Sequence, residues 1–230
     1  KDLLDGVNTS WEKMEGASGI NKSIQDIIQG YAYTNPSASV APLVKLYQDI
    51  SFLKESTIRN HKLLELATLI EAASGLYFEA STAQPYAVQG DSIKVAVQVN
   101  NRSGIHARLI RVGIDYADSL IDRELKANLN FLLSRTLYVP ESKMITQPYW
   151  LSEEMRKGSF EVADQKLIGM PENKPSYLCR LIVEVEGVPI AYQIPVLYKH
   201  TDPVKGEHFE PVYVVPPVSV NTSPAVILFK

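Results

Sequence analysis

The chain has 230 residues, 45% apolar and 21% charged, an ordinary globular composition that allows one large domain or two modest ones. Its net charge of −3 offers no electrostatic footprint for nucleic acid or an anionic membrane. No apolar run reaches the roughly 18–20 residues that a membrane-spanning helix needs.

Residue 1 is Lys, and no signal-type segment follows it. We therefore expect the chain to be part of a longer polypeptide, with neighbouring domains of that polypeptide as its partners. The single cysteine, Cys179, excludes an internal disulfide. One thiol fits both a cytosolic protein and an exported one, so it leaves the compartment open.

Helical periodicity dominates the first part of the chain. Apolar residues recur at helical spacing from Ile20 to Tyr31, behind Asn35-Pro36, and after a helix start at Ser56 or Thr57. Short polar links between helices of this length favour antiparallel neighbours. We predict that residues 1–82 form an antiparallel helical bundle that acts as a connector.

From Gln84 onward the apolar period changes from 3.6 to 2, as in the alternation of Ile93, Val95, Val97 and Val99. Several short strands with turn signals between them, and no helices alternating with them, favour an antiparallel immunoglobulin-like β-sandwich over residues 83–205. Residues 141–177 contain many Pro and Gly breakers and are predicted to form a long irregular excursion. The predicted fold class is therefore α+β and multidomain.

The clearest local pattern is a β-hairpin between Leu178 and Tyr198. Apolar residues match across the turn only if its loop has an even number of residues, and a two-residue loop sets Val185 opposite Val188. Pro189 and Pro195 then fall where their missing amides face away from the hairpin partner. We therefore predict that the second strand lies at a sheet edge, or meets a second neighbour only around Ala191–Gln193.

Residues 206–230 are predicted to continue a linker that begins at Thr201 and to add one or two terminal strands. The strand signals are the valines from Val212 to Val220 and the apolar run from Val226 to Phe229. Alternatively, this stretch opens another domain.

Catalytic chemistry has no clear signature in the sequence. The four histidines, His61, His106, His200 and His208, are not paired at metal-ligand spacing. His61 is predicted to lie on a helix and the other three in turns. No nucleophile-elbow, P-loop or dinucleotide-binding motif is present. We predict no catalytic, cofactor-binding or metal-binding residues, no cofactor, and no enzymatic activity for this chain.

The aromatic residues Tyr149 and Trp150, with Trp11 near the first helix, are the candidate contact residues. One interpretation is a sugar-stacking platform, because flat aromatic rings suit pyranose faces. The other is a buried aromatic wedge that plugs one end of the sandwich or seals it to the helices. Trp11 has a similar interpretation, docking at an interface with a neighbouring domain.

Several stretches together resemble the non-catalytic part of large bacterial proteins of the PIG-L (LmbE-like) deacetylase family, of the Bacteroidetes type. These stretches are Gly6-Val7-Asn8-Thr9-Ser10-Trp11, Gly90-Asp91-Ser92, Asn100-Asn101-Arg102-Ser103, Thr146-Gln147-Pro148-Tyr149-Trp150-Leu151 and Asp202-Pro203-Val204-Lys205-Gly206-Glu207. In that family an upstream domain carries the zinc site, and this chain has neither of its histidine motifs.

The resemblance implies a non-catalytic accessory or interdomain module, downstream of a zinc-dependent deacetylase domain that acts on N-acetylated sugars. It also implies an extracytoplasmic location. The alternative function is a carbohydrate-binding β-sandwich module that uses exposed aromatic residues. The two hypotheses differ in whether Trp150 is buried or lies exposed on a concave face.

Overall fold

The computed structural model describes Gly6, residues 10–220 and Ser223, and these residues gather into two compact units. The first unit comprises the residues up to Phe78, Gln98–Leu132 and Arg180–Gln193. The second unit comprises Glu79–Val97, Leu133–Cys179 and the residues from Ile194 onward.

Among the described residues, three α-helices come first and ten strands follow them. The helices are α1 (Ile20–Gly30), α2 (Val40–Ser51) and α3 (Thr57–Ser74). The strands are β1 (Leu76–Thr82), β2 (Tyr86–Val88), β3 (Ser92–Asn101), β4 (Ala107–Ile114), β5 (Ala117–Glu124), β6 (Asn130–Tyr138), β7 (Leu178–Val185), β8 (Val188–Asp202), β9 (Gly206–Pro211) and β10 (Tyr213–Val215).

The first unit combines the helices with strands β4 and β5. Helix α2 packs against both α1 and α3, and the Ser56 hydroxyl caps α3 by accepting a 3.2 Å hydrogen bond from the Arg59 amide. Strands β4 and β5 form an antiparallel pair joined at Ile114 and Ala117. The helices therefore share a compact unit with strands and do not form a separate bundle.

One eight-stranded sheet holds most of the strands, and its pairing is mixed. The strand order is β5-β4-β7-β8-β1-β3-β6, with β9 also paired to β8. Strands β1 and β8 run parallel, with Ala80 beside Val196 and Thr82 beside Tyr198. Strands β2 and β10 form a separate parallel pair, with Tyr86 beside Tyr213.

This architecture shows that the predicted helical bundle followed by an immunoglobulin-like sandwich is wrong. The described residues contain only three short α-helices, of 11, 12 and 18 residues, and their strands form a mixed sheet. An immunoglobulin-like domain instead packs two antiparallel sheets against each other. Alternation of apolar residues fixes which side of a strand is buried, but it does not fix the partner of that strand or its direction.

The predicted hairpin is confirmed. Strand β7 ends at Val185 and β8 begins at Val188, so the loop is the two residues Glu186 and Gly187. Both have positive φ, +48° and +81°, as a type I′ turn requires. The predicted sheet edge is wrong, because β8 lies between β7 and β1 in the strand order. Its ladder with β1 is at Val196–Tyr198, beyond the predicted 191–193.

In the second unit, β8 and β9 form an antiparallel hairpin that pairs Asp202 with Gly206. The stretch predicted as a linker is therefore the turn of this hairpin. The strand predicted at 226–229 lies outside the described residues. Among the helices that the structure describes, none combines the length and apolar character needed to cross a membrane.

Candidate functional site

A hydrogen-bonded clamp fastens the 141–177 segment to strand β10. The amide of Thr146 donates to the carbonyl oxygen of Val214 at 2.9 Å, and the amide of Val214 donates to Thr146 Oγ1 at 2.9 Å. Ser176 Oγ lies 3.0 Å from Thr146 Oγ1 and donates to the carbonyl oxygen of Val212 at 2.7 Å. We call these four residues the Thr146 clamp.

Each hydroxyl has one proton to donate, and this fixes the direction of every hydrogen bond in the Thr146 clamp. A carbonyl oxygen cannot donate, so the one hydroxyl proton of Ser176 is used on Val212. The hydroxyl of Thr146 therefore donates to Ser176 Oγ, while its oxygen accepts from the Val214 amide. Each hydroxyl both donates and accepts, so the clamp holds its two segments in one arrangement.

Trp150 lies next to this clamp, in the short 3-10 turn Tyr149–Leu151. Pro148 precedes the turn. The Asn173 side chain holds the turn with two hydrogen bonds to its backbone, which we call the Asn173 staple. Asn173 Oδ1 accepts from the Tyr149 amide at 3.1 Å, and Asn173 Nδ2 donates to the Gln147 carbonyl oxygen at 2.9 Å. The Tyr149 and Trp150 rings meet edge to face, with centroids 4.9 Å apart.

Trp150 lines a cleft of about 460 Å³ that lies wholly within the second unit. The buried residues Val196 and Val212 contribute apolar lining, and Tyr213, with 42% of its surface exposed, adds a second aromatic ring. The indole of Trp150 is only partly buried. The cleft therefore presents apolar lining and two aromatic rings that solvent reaches.

Three polar side chains that line the cleft are uncommitted. Among the described residues, none forms a hydrogen bond or ion pair with the side chain of Gln147, Glu172 or Lys174. Asn173, Thr146 and Ser176 also line the cleft, but their side chains are used in the contacts given above. Ligand recognition by polar contact would therefore fall to these three side chains, with the indole N–H of Trp150 and the hydroxyl of Tyr213, which also have no partner among the described residues.

The structure brings together two of the three predicted contact residues. Tyr149 and Trp150 are neighbours in the second unit, and Trp150 lines the cleft. Sequence reasoning missed Tyr213 and Asn173, which belong to segments far from Trp150 along the chain. The sequence signal that could have located the site is the stretch Thr146-Gln147-Pro148, because it carries the clamp hydroxyl and the residue that precedes the turn.

Trp11, the third predicted residue, belongs to the first unit. It lines an apolar pocket of about 310 Å³ between the helices, with Ile24, Leu43 and Leu66 among its neighbours. Ile28 and Leu69 line the same pocket and are 69% and 53% exposed. This position fits an apolar contact surface more closely than a site with polar recognition.

Two of the three histidines predicted to lie in turns, His200 and His208, occupy strands instead, whereas His106 lies in a bend just before β4. His200 on β8 is directly opposite His208 on β9, and their rings stack with centroids 5.4 Å apart. Tyr198 stacks on the other side of His200 at 4.9 Å. Across the part of the chain that the structure describes, no group of three or more His, Cys, Asp or Glu side chains could hold a metal ion.

Cys179 is fully buried in strand β7. Burial raises the pKa of its thiol to about 12, because the apolar surroundings disfavour the thiolate. The thiolate is the nucleophilic form of cysteine, so this side chain is an inert core residue at neutral pH.

No family model and no curated protein matches this chain. The CARDB domain from Pyrococcus furiosus is similar at 13% identity, over 53% of this chain and 93% of that one, with a TM-score of 0.29. An alkylpurine DNA glycosylase from Pseudomonas fluorescens, bound to DNA containing an abasic site analog, matches at 10% identity over 73% of this chain and 48% of its own, with a TM-score of 0.24.

A β-glucosidase from Listeria innocua in complex with glucose matches at 15% identity, over 53% of this chain and 16% of its own, with a TM-score of 0.22. Because these TM-scores are below 0.5, the likenesses carry no argument about fold or function. None of the three proteins is a PIG-L-type deacetylase.

Proposed function

We propose that this chain is a non-catalytic accessory module that binds carbohydrate in the cleft beside Trp150. The observation that carries the proposal is the partly exposed indole of Trp150 at a cleft of about 460 Å³. A tryptophan left partly in contact with solvent at a concave site offers an aromatic surface to a sugar ring.

The surroundings of Trp150 suit a preorganised site. The Asn173 staple and the Thr146 clamp fix the segments that carry Trp150 and Tyr213 before any ligand arrives. Binding then costs little conformational entropy, which matters for a weakly interacting ligand such as a sugar. The side chains of Gln147, Glu172 and Lys174 remain available for hydroxyl and amide groups of the ligand.

The parent protein in this proposal comes from the sequence resemblance to the non-catalytic part of PIG-L-type deacetylases. On that basis the module would deliver N-acetylated sugars to a deacetylase-type hydrolase domain elsewhere in the same polypeptide. The chain itself would supply binding and no chemistry.

A second candidate function is that of a structural interdomain module, and the pocket beside Trp11 favours it. Ile28 and Leu69 expose large apolar side chains at that pocket, within the first unit. Apolar residues grouped in this way are typical of a surface that a neighbouring domain covers. The two functions use different surfaces and are compatible in one chain.

The test is affinity electrophoresis in gels containing glycol chitin, an N-acetylated polysaccharide. We expect the polymer to retard the chain, and Trp150→Ala to abolish the retardation. Tyr33→Ala is the matched control, because Tyr33 is an exposed aromatic residue of the first unit, outside the cleft. The proposal is contradicted if the unsubstituted chain migrates without retardation. It is also contradicted if the Trp150→Ala variant is retarded as strongly as the unsubstituted chain.

A further inference from the structure

Strands β2 and β10 each begin with an exposed tyrosine. Tyr86 and Tyr213 are direct partners in this parallel pair, and 55% and 42% of their surfaces are exposed. The residues that follow them, Ala87 and Val214, are also partners, and both are buried. Because side chains alternate between the two faces of a strand, the two tyrosines share the solvent-facing side of the pair.

Strand β10 has a different neighbour on each of its edges. The Tyr213 amide donates to the carbonyl oxygen of the residue just before β2, at 3.1 Å. The amide and the carbonyl oxygen of Val214 point to the opposite edge, where both are bonded to Thr146. The segment that leads from Thr146 to Trp150 therefore lies on one side of β10, and β2 with Tyr86 lies on the other.

The aromatic surface of the cleft thus continues onto β2. Trp150 and Tyr213 line the cleft, and Tyr86 stands beside Tyr213 on the neighbouring strand. Neighbouring strands lie about 4.8 Å apart, which is close to the length of one sugar unit in a linear chain. The hydroxyls of both tyrosines have no partner among the described residues, so each is available to a hydroxyl of the ligand.

We infer that the site takes several consecutive sugar units of a polysaccharide chain, with Tyr86 as a contact residue outside the cleft. A single sugar occupies the cleft beside Trp150, whereas a chain extends past Tyr213 to Tyr86. A sugar that covers the exposed ring of Tyr86 removes apolar surface from water, which stabilises the complex. This inference rests on the proposed carbohydrate-binding function and specifies the length of the ligand.

The experiment compares a single sugar with a tetrasaccharide of the same sugar. The 15N-labelled chain is titrated with methyl N-acetyl-β-D-glucosaminide and with N-acetylchitotetraose, and the indole N–H signal of Trp150 gives both dissociation constants. Trp150→Phe assigns this signal, and Trp11, which lines a different pocket in the first unit, is the internal control. The titrations are repeated with Tyr86→Ala, Tyr86→Phe and the control Tyr33→Ala, which removes an exposed tyrosine of the first unit.

We expect Tyr86→Ala to weaken binding of the tetrasaccharide roughly fivefold, as for the loss of one aromatic contact. Binding of the single sugar should stay unchanged, which would also show that the variant is folded. Tyr86→Phe keeps the ring and should weaken binding of the tetrasaccharide less than Tyr86→Ala, and Tyr33→Ala should have no effect.

The inference is overturned if Tyr86→Ala binds the tetrasaccharide as tightly as the unsubstituted chain, or if it weakens the binding of both ligands equally. Either result leaves the proposed function standing, because the unsubstituted chain still binds sugar at Trp150. If neither ligand shifts the Trp150 signal of the unsubstituted chain, the inference falls together with the proposed function.

Discussion

The hydroxyl of Ser176 donates a 2.7 Å hydrogen bond to the carbonyl oxygen of Val212. Ser176 directly precedes the buried Tyr177, and Val212 directly precedes β10, so the bond joins these two segments. Both residues line the cleft beside Trp150. The contact leaves Ser176 Oγ as an acceptor for the Thr146 hydroxyl, so the clamp depends on both side chains. The shape of the cleft is thus tied to two small hydroxyl residues.

Thr146→Val should destabilise the chain by about 1–3 kcal/mol, because valine has the shape of threonine but leaves the Val214 amide without its acceptor. Thr146→Ser is the matched control, since serine keeps the hydroxyl and should stay within about 1 kcal/mol of the parent. Urea denaturation with a common m-value measures both. Equal midpoints for the valine and serine variants would show that the hydroxyl is dispensable.

Asn101→Ala should be more damaging. The Asn101 side chain is completely buried, and its Nδ2 donates to the carbonyl oxygens of Ile105 and Leu125, both at 2.8 Å. Its Oδ1 accepts from the Gly104 amide at 3.0 Å. Alanine leaves three backbone groups unpaired, and we expect a loss of roughly 3 kcal/mol or more.

Asn60→Ala is the control for this prediction, because Asn60 is an exposed residue of α3 and alanine favours a helix. Its change in unfolding free energy should stay within about 0.5 kcal/mol. Chemical denaturation followed by circular dichroism compares the two variants. Similar losses for Asn60→Ala and Asn101→Ala would mean that the buried amide network does not stabilise the loop.

The hairpin and the parallel pair differ in how far the sequence could predict them. Residues Val185 and Val188 are close along the chain, and the period of two allows only an even loop between them, so local pattern was sufficient. Ala80 and Val196 pair in parallel although they are far apart along the chain. No local pattern specifies such a partner, and an antiparallel sandwich was therefore predicted where the sheet is mixed.

The candidate site was likewise predictable from the sequence only in part. Trp150 could be singled out from composition alone, because an aromatic residue among loop-forming residues is conspicuous. Its environment could not be predicted, because long-range contacts bring Asn173 and Tyr213 to the cleft: the hydrogen bonds of the Asn173 side chain, the Thr146 clamp and the pairing of β10 with β2. The carbonyl and amide partners in these contacts carry no sequence signal, since every residue has a backbone carbonyl.

Alkaline pH should destabilise the chain through Cys179. Burial raises the pKa of this thiol in the folded state from 9.0 to about 12, so between these values the unfolded state releases a proton that the folded state keeps. The unfolded state then binds fewer protons, and stability must fall as pH rises. The slope contributed by one group is at most about 1.4 kcal/mol per pH unit.

Cys179→Ala removes this contribution. We expect the difference in unfolding free energy between the parent and the variant to shrink as pH rises above about 9, when urea unfolding is repeated at several pH values under reducing conditions. Burial is also the main cause of the raised pKa of the Tyr192 hydroxyl. This group lowers the unfolding free energy of both chains as pH rises. Parallel pH profiles for the two chains would contradict the role of the thiol.

Trp150→Ala distinguishes the sugar platform from the buried wedge by its effect on stability. A wedge of core character would cost roughly 3–5 kcal/mol when truncated. The partly buried indole meets the Tyr149 ring edge to face, and about 2 kcal/mol is expected instead. Trp150→Phe keeps an aromatic ring and should cost less than the alanine variant. Guanidinium unfolding measures both variants, and a loss of about 4 kcal/mol or more for Trp150→Ala would favour the wedge and count against the cleft as a binding site.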